Sequence, residues 1–409
     1  MKRTKKILLL HRTFPGQFKH LAQALIDNPA YELMGIRRRC KENETAPSFP
    51  VIEYELNDPE DVRGTPRTLS SLASAIAVAH ALTSLRDRGY VPDVCLGHIG
   101  WGETIHFKDV YPNVPLIGYC EFFHHFSGAD FGFDPEFVQP DHEDAYRIRQ
   151  MNATEALALL SVDIGVAPTH WQRNLFPSVH RHHLRVIHEG VDLTFFQPDN
   201  EATLRLPSGR ILRAGDKIVT FATHSLEPYR GLHTFFRAIP LIQALHPDAE
   251  IIVAGGDEAL YGSPPPGGLS WREYLLQGLD IQLDRLHFVG FLATEDYRAM
   301  LQISAVHIYL TVPFVLSWSL LEAMAVGCIL VASDTAPVKE VLTDGVNSRL
   351  VNFFSSGELA ERVSEILASP TVYQTLGVAA RRDAEAHYDA TASVQRYLAL
   401  LDAVTEIQR

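Results

Sequence analysis

The chain has 409 residues, too many for one ordinary hydrophobic core, so two domains of about 200 residues each are expected. Hydrophobic residues make up 46% and charged residues 21%, the balance of a soluble globular protein. The net charge of −13 offers no basic excess to neutralise phosphates, which argues against nucleic acid as a partner.

The basic run Met1–Lys6 before Ile7-Leu8-Leu9-Leu10 has the outline of a signal peptide. His11-Arg12 interrupts the apolar run at once, so a first strand is expected instead. No uninterrupted apolar stretch approaches the ~20 residues of a spanning helix. Cys40, Cys95, Cys120 and Cys328 lack metal-like spacing, and three of them lie in apolar runs. Buried, reduced thiols and a cytoplasmic location are the expectation.

After the first strand, His11 to Phe18 reads as a loop running into a helix over Phe18 to Ile26, with Phe18, Leu21, Ala22 and Leu25 on one face. Pro15-Gly16 is neither a GxGxxG fingerprint nor part of a phosphate loop, so a dinucleotide or P-loop enzyme is not expected. Thr65 to Leu85 places Leu69, Leu72, Ile76, Ala79 and Leu82 at helical spacing, a long amphipathic helix. Pro92 to Gly97 is a strand leading into His98-Ile99-Gly100-Trp101-Gly102-Glu103. That loop joins an imidazole, two glycines, an indole and a carboxylate, groups that suit close backbone approach and stacking on a ligand.

Val114 to Tyr119 is the next strand and precedes Glu121, His124 and His125. The adjacent histidines raise a metal site, but no further ligands at orderly spacing accompany them, and none is expected. Ser127 to Asp144 is acidic and aromatic and reads as an ordered active-site loop. A helix over Ala145 to Leu160 and a strand in the 161–167 run follow, then the basic stretch Arg181–Arg185 and Val186-Ile187-His188-Glu189-Gly190-Val191-Asp192. The polar, Pro- and Gly-punctuated 193–215 reads as a linker between domains at 1–192 and 216–385.

The second domain opens with a strand from Lys217 and the loop His224-Ser225-Leu226-Glu227-Pro228-Tyr229-Arg230-Gly231. Strands are expected at Ile251–Gly256 and Leu286–Leu292, with a proline-rich insertion loop at 261–268 between them. Val306 to Leu310 is a strand, Ser317-Trp318-Ser319 leads into the helix Leu320–Ala325, Gly327 closes it, and Ile329–Ala332 is the next strand. Backbone N–H groups at that helix start are suited to an anion, with Glu322 one turn in. The remainder from Val363 to Ile407 is mostly helical.

The run SLLEAMAVGCILVASDTAPVKEVLTDGVNSRLV resembles the donor-nucleotide segment of the retaining, group 1 glycosyltransferases of family 4, which have the GT-B fold. The resemblance implies two Rossmann-like, doubly wound α/β domains facing across a cleft, with a final helix (386–409) returning to the first domain. It implies that Glu322 contacts the ribose of a nucleoside diphosphate sugar. The family's first glutamate of this segment falls on Phe314, so the chain departs from the pattern there. Val186–Asp192 resembles the family's hinge signature and brings in Glu189, and Arg230 stands where the family has a lysine. The arginine that usually begins that loop has no counterpart among Thr223, His224 and Ser225.

Carried onto this chain, the resemblance places Gly16, Gln17, Glu189, Arg230, Gly290, Phe291, Ser317, Trp318, Ser319, Leu320 and Glu322 around the donor. Glu121, His98 and Arg230 are the catalytic candidates, with His124 and His125 as alternatives beside the reacting sugar. The expected reaction moves a sugar from a UDP-sugar, or a GDP-sugar, to a hydroxyl with retention, without a metal or another cofactor, in polysaccharide or glycoconjugate synthesis. The acceptor is a glycan, a lipid-linked glycan or a small molecule. In the lipid-linked case Lys2–Lys6 and Arg181–Arg185 would touch an anionic membrane peripherally. A sugar-nucleotide epimerase and an inactive sugar-nucleotide-binding protein are the other readings.

Overall fold

The computed structural model describes residues 3–39, 48–56 and 67–406, so Lys2, Cys40 and Thr65 lie outside the described residues. The chain divides into two compact units. The first holds residues up to Gly132, Gln139–Gly190 and Ala390–Arg409, and the second holds Phe133–Val138 and Val191–Asp389.

In the first unit the strands β1 (Lys5–Leu10), β2 (Tyr31–Arg38), β3 (Val51–Tyr54), β4 (Val94–His98), β5 (Leu116–Tyr119), β6 (Ile164–Ala167) and β7 (Leu184–Val186) form one sheet. Their order is β3-β2-β1-β4-β5-β6-β7, and every pairing is parallel. A parallel sheet is covered on both faces, and so its strands read as continuous apolar runs rather than alternating ones. β1 shows this directly: Ile7 and Leu9 enter one core with Leu21, Leu25 and Leu401, while Leu8 and Leu10 enter another with Val78, Leu82 and Cys95. Each such leucine contributes about 1.5–3 kcal/mol of burial.

The second unit begins with a small antiparallel hairpin, β8 (Thr203–Arg205) and β9 (Ile211–Arg213). Its parallel sheet then comprises β10 (Ile218–Ser225), β11 (Glu250–Gly256), β12 (Leu286–Gly290), β13 (Val306–Tyr309), β14 (Leu330–Ser333) and β15 (Arg349–Val351). The order is β12-β11-β10-β13-β14-β15. In each unit the chain starts mid-sheet, winds one way and then returns to wind the other. The reversal falls between β1 and β4 in one unit and between β10 and β13 in the other.

Several expectations need correction. Residues 193–215 are not a linker: Leu204, Leu206 and Leu212 are buried in the second unit's core with Val191, Phe196, Met300 and Met324. Proline and glycine punctuation suggested a linker, but each three-residue strand alternates exposed, buried, exposed, a period too short to recognise unaided. The final helix, Ala390–Glu406, clusters with the first unit, where Tyr397, Leu401 and Val404 pack and Lys5 Nζ meets Asp402 at 2.6 Å. Ser127–Asp144 is not one loop of the first unit, because Phe133–Val138 packs into the second.

The long helix Arg67–Asp87 does not bury the expected row: Leu69 and Ile76 are 56% and 54% exposed, and only Leu82 of that row is buried. The buried side carries Ser71, Ser74, Ala75, Val78, Leu82 and Leu85. Apolar residues lie nearly all round this helix, so spacing alone could not select a face. The neighbouring turn selects it: a Cβ on Gly102 would collide with the Ser71 carbonyl, and only a small-residue face comes that close. Thr68–Asp87 is also long and apolar enough to cross a membrane, but Val78, Leu82 and Leu85 seat it in the first unit's core.

Cys95, Cys120 and Cys328 are free and buried. Among the buried histidines of the described residues, His11, His188 and His307 are shifted by their interior position. Burial lowers His11 to about 3, with His98 beside it adding to the effect; burial alone lowers His188 to about 4 and His307 to about 3. Each is neutral in the folded chain and would titrate near its ordinary 6.5 when unfolded. The unfolded state therefore binds more protons as pH drops below 6.5, and stability is lost in that direction, by about 1.4 kcal/mol per pKa unit per group. The urea midpoint should be flat above neutral pH and fall steadily from pH 6.5 toward 4. Equal midpoints at both ends of that range would mean these rings are solvated.

Candidate active site

In open α/β sheets ligands bind beyond the carboxyl ends of the strands, where the winding reverses. At the first unit's reversal, β1 delivers His11, Gly16 and Gln17, β4 delivers His98, and the neighbouring β5 delivers Glu121. His11, Gln17 and Glu121 form one hydrogen-bonded chain whose directions can be read from the backbone, and His98 stands within ion-pair range of its end. The Thr13 N–H donates to His11 Nδ1 at 3.0 Å, so His11 carries its proton on Nε2 and donates to Gln17 Oε1 at 2.6 Å. Gln17 Nε2 in turn donates to Glu121 Oε1 at 2.7 Å. The Gly100 N–H donates to His98 Nδ1 at 3.0 Å, which leaves the Nε2 proton of His98 facing Glu121 Oε2 at 3.4 Å.

Burial works to raise the Glu121 carboxyl, but the approach of the His98 ring, the Gln17 hydrogen bond and the nearby His11 ring hold it below its ordinary range. It is an ionised, partly exposed carboxylate at the end of a directed network. Gly16, at φ +49, is required here because a Cβ would fall on the His11 ring. The Trp101 indole is stacked by His98 at 3.8 Å and met edge-on by His11 at 5.0 Å, so one face is already covered and not open to a sugar.

The structure does not bring the other first-unit candidates into this network. His125 Nε2 donates to the Leu175 carbonyl at 2.7 Å, and His124 lies 3.6 Å from Asp130. Glu103 is interior and accepts from the Tyr54 hydroxyl at 2.7 Å. Glu189 is likewise buried and accepts from the Tyr119 hydroxyl, which makes it an interior group of its unit rather than an open ligand contact. His11 was missed as a functional residue. Its signal was its place, the first polar residue after a buried strand at the middle of the sheet.

At the second unit's reversal, β10 is followed by the turn Pro228–Arg230 and β13 by the loop to Ser317. Arg230 is only 5% exposed; its Nη1 donates to Thr311 Oγ1 at 2.7 Å and to the Val315 carbonyl at 3.1 Å. The guanidinium lies 5.2 Å over Tyr261 and 5.6 Å over Phe314, and Tyr229 completes the aromatic group at 5.2 Å from Phe314. Phe314 therefore has a physical account as a wall of the Arg230 enclosure. Buried Glu227 accepts from the N–H groups of Leu260, Tyr261 and Gly262, which holds Tyr261 in place. The start of the supposed insertion loop is thus part of the site.

The helix Trp318–Val326 starts beside this enclosure, but its first N–H groups are not an open nest. Ser317 N–H donates to the Tyr309 hydroxyl, Ser319 N–H to Ser317 Oγ, and Leu320 N–H to the Ser317 carbonyl. What remains for an anion is the positive end of the helix dipole, the Ser317 and Ser319 hydroxyls and the half-exposed Trp318. Glu322 sits one turn further in, half-buried, and its charge and hydrogen bond, after burial, push the Tyr297 phenol up. Gly290 at φ +64 ends β12, and Phe291 beyond it is 67% exposed next to His224.

Residues 37–196 match the profile described as glycosyl transferase family 4 group, and residues 209–383 match glycosyl transferases group 1. The chain belongs to the group 1 glycosyltransferases of family 4. Its fold is GT-B, with two parallel-sheet α/β domains. Among curated proteins this glycosyltransferase-family chain is 29% identical over 189 residues to D-inositol 3-phosphate glycosyltransferase of Mycolicibacterium vanbaalenii, covering 45% of the chain and 40% of that protein. It is 26% identical over 228 residues to spore coat protein SA of Bacillus subtilis, covering 52% and 56%. The chain thus spans less than two thirds of the length of these curated relatives. Among solved structures it is similar to sucrose-phosphate synthase of Thermosynechococcus elongatus, with TM-score 0.72 at 18% identity over 98% of this chain and 100% of that one. HepE of Anabaena, solved with UDP, gives TM-score 0.65 at 18% identity over 97% and 100%.

Proposed function

We propose that this chain transfers a sugar from a UDP-sugar to an acceptor hydroxyl with retention of anomeric configuration. The observation that carries the reading is that both topological reversals present matched chemistry. One bears a buried guanidinium, a helix start and Glu322; the other bears an ionised carboxylate oriented by Gln17 and His98. The second unit takes the nucleotide sugar. As the bond from the anomeric carbon to the diphosphate oxygen breaks, negative charge grows on the leaving group, and Arg230 with the dipole of the helix Trp318–Val326 stabilises it. The first unit takes the acceptor, and Glu121 accepts a hydrogen bond from the attacking hydroxyl and orients it. UDP is favoured over GDP by similarity to HepE, solved with UDP and with UDP-glucose.

Incubation with a panel of UDP- and GDP-sugars tests this. Release of nucleoside diphosphate with a new glycoside supports transfer, a changed sugar on the nucleotide supports epimerisation, and binding without turnover supports a sensor. The anomeric coupling of the product by NMR decides retention. Glu322→Ala should weaken UDP binding about 10- to 100-fold in calorimetry, the loss of a charged hydrogen bond. Unaltered affinity would overturn the ribose assignment.

A further inference from the structure

We propose that Asp134, Glu136 and His233 form a divalent-cation site in the second unit, suited to zinc. One candidate ligand atom from each of the three lies within 4.8 Å of the other two. His233 is on the first turn of the helix Leu232–Leu245 and is 2% exposed, with Phe137 and Phe353 edge-on to its ring at 4.9 and 5.6 Å. Its Nε2 lies 3.1 Å from Asp134 Oδ2. Asp134 is 8% exposed, and its Oδ1 accepts the Glu136 N–H at 3.0 Å, which aims Oδ2 at the imidazole. Oδ2 itself has no hydrogen-bond partner, and neither does His233 Nδ1. A buried carboxylate oxygen left without a donor is a costly arrangement that a cation would resolve.

The donor set and spacing fit the ion. One imidazole nitrogen and two carboxylate oxygens, with water in the fourth place, suit zinc, whose bonds to them run about 2.0–2.2 Å. Two ligands of a tetrahedral site then stand roughly 3.3 Å apart, close to the 3.1 Å already held between His233 and Asp134. Because no neighbour bonds Nδ1, that nitrogen can carry the proton while Nε2 coordinates. Glu136 is the movable ligand: exposed, it is held now by Arg237, whose Nη1 donates to it at 2.8 Å. Cation binding and the Arg237 pair therefore compete for one carboxylate. The six residues Phe133–Val138 pack in the second unit although the chain on both sides of them clusters with the first, so the ion would fasten this strap to the helix bearing His233. None of the three residues belongs to the donor or acceptor groups above, so this inference stands or falls apart from the proposed function.

Zinc alone, titrated into the full chain against a chromogenic chelator, provides the test. One zinc per chain is expected, weakened tenfold or more by Glu136→Gln and abolished by Asp134→Asn. Arg237→Ala, which frees Glu136, should tighten binding. Circular dichroism checks the fold of Asp134→Asn, and Glu136→Gln, at an exposed position, keeps the test valid if that variant unfolds. His182→Ala with His183→Ala controls for surface histidines and should change nothing. No saturable uptake, uptake indifferent to Glu136→Gln, or uptake lost with the surface histidines would overturn the site and leave an imidazole–carboxylate ion pair.

Discussion

Arg230→Ala is expected to lower turnover by a factor of a hundred or more, the loss of about 3–4 kcal/mol of transition-state stabilisation. Its guanidinium is the cation at the second unit's reversal point, and low exposure strengthens its effect on a developing charge. The structure adds a second consequence that the residue type alone does not suggest. Arg230 ties Thr311 and the Val315 carbonyl together, so its removal strands two acceptors and should also destabilise the chain by about 1–3 kcal/mol. Turnover must therefore be compared at temperatures where a thermal melt shows both proteins folded. Arg230→Lys separates the contributions, since it keeps the charge but loses the planar fork and its stacking on Tyr261 and Phe314. Intermediate activity is expected from it. Full activity in a folded alanine variant would remove Arg230 from the mechanism.

Glu121→Gln should reduce kcat about a hundredfold while leaving nucleotide affinity unchanged, because the network it breaks lies wholly within the first unit. Both oxygens of Glu121 face donors, Gln17 Nε2 on one side and the Nε2 proton of His98 on the other. An amide offers only one acceptor oxygen, so its NH2 must oppose either Gln17 or His98, and one of the two loses its position. His98→Ala should act similarly and also uncover the Trp101 face. The pH profile gives an independent check. With the Glu121 carboxyl held below its ordinary 4.5, the rate should stay flat down through mildly acid pH. An unchanged kcat in Glu121→Gln would make the network a structural one.

The strand-loop-helix unit around Val306–Val326 was legible because its signals agree: a β-rich run, a serine N-cap, strong helix formers and a glycine at φ +81 closing the helix. The pairing of His98 with Glu121 was legible only as a list of candidates. Which histidine serves depends on register in the sheet, where His98 and Tyr119 are partners across β4 and β5 and His124 lies beyond the strand. The 193–215 hairpin, the inward face of Arg67–Asp87 and the strap at Phe133–Val138 were misread for one reason. Each is defined by what it packs against, and local composition carries no trace of the partner.

The sequence by itself determined the fold class, since buried parallel strands and capped helices write themselves as local apolar and capping patterns, and the resemblance of the 319–351 run pointed to the family and to the residue types available for a nucleotide sugar. The tertiary structure decided which of those residues act together. It drew His11 and Gln17 to Glu121, turned Glu189 and Glu103 inward, and enclosed Arg230 in Tyr229, Tyr261 and Phe314. The physical reason is that hydrogen-bond partners and aromatic walls come from strand ends far apart in the chain. Their meeting is set by sheet order, and no periodicity along the chain encodes it.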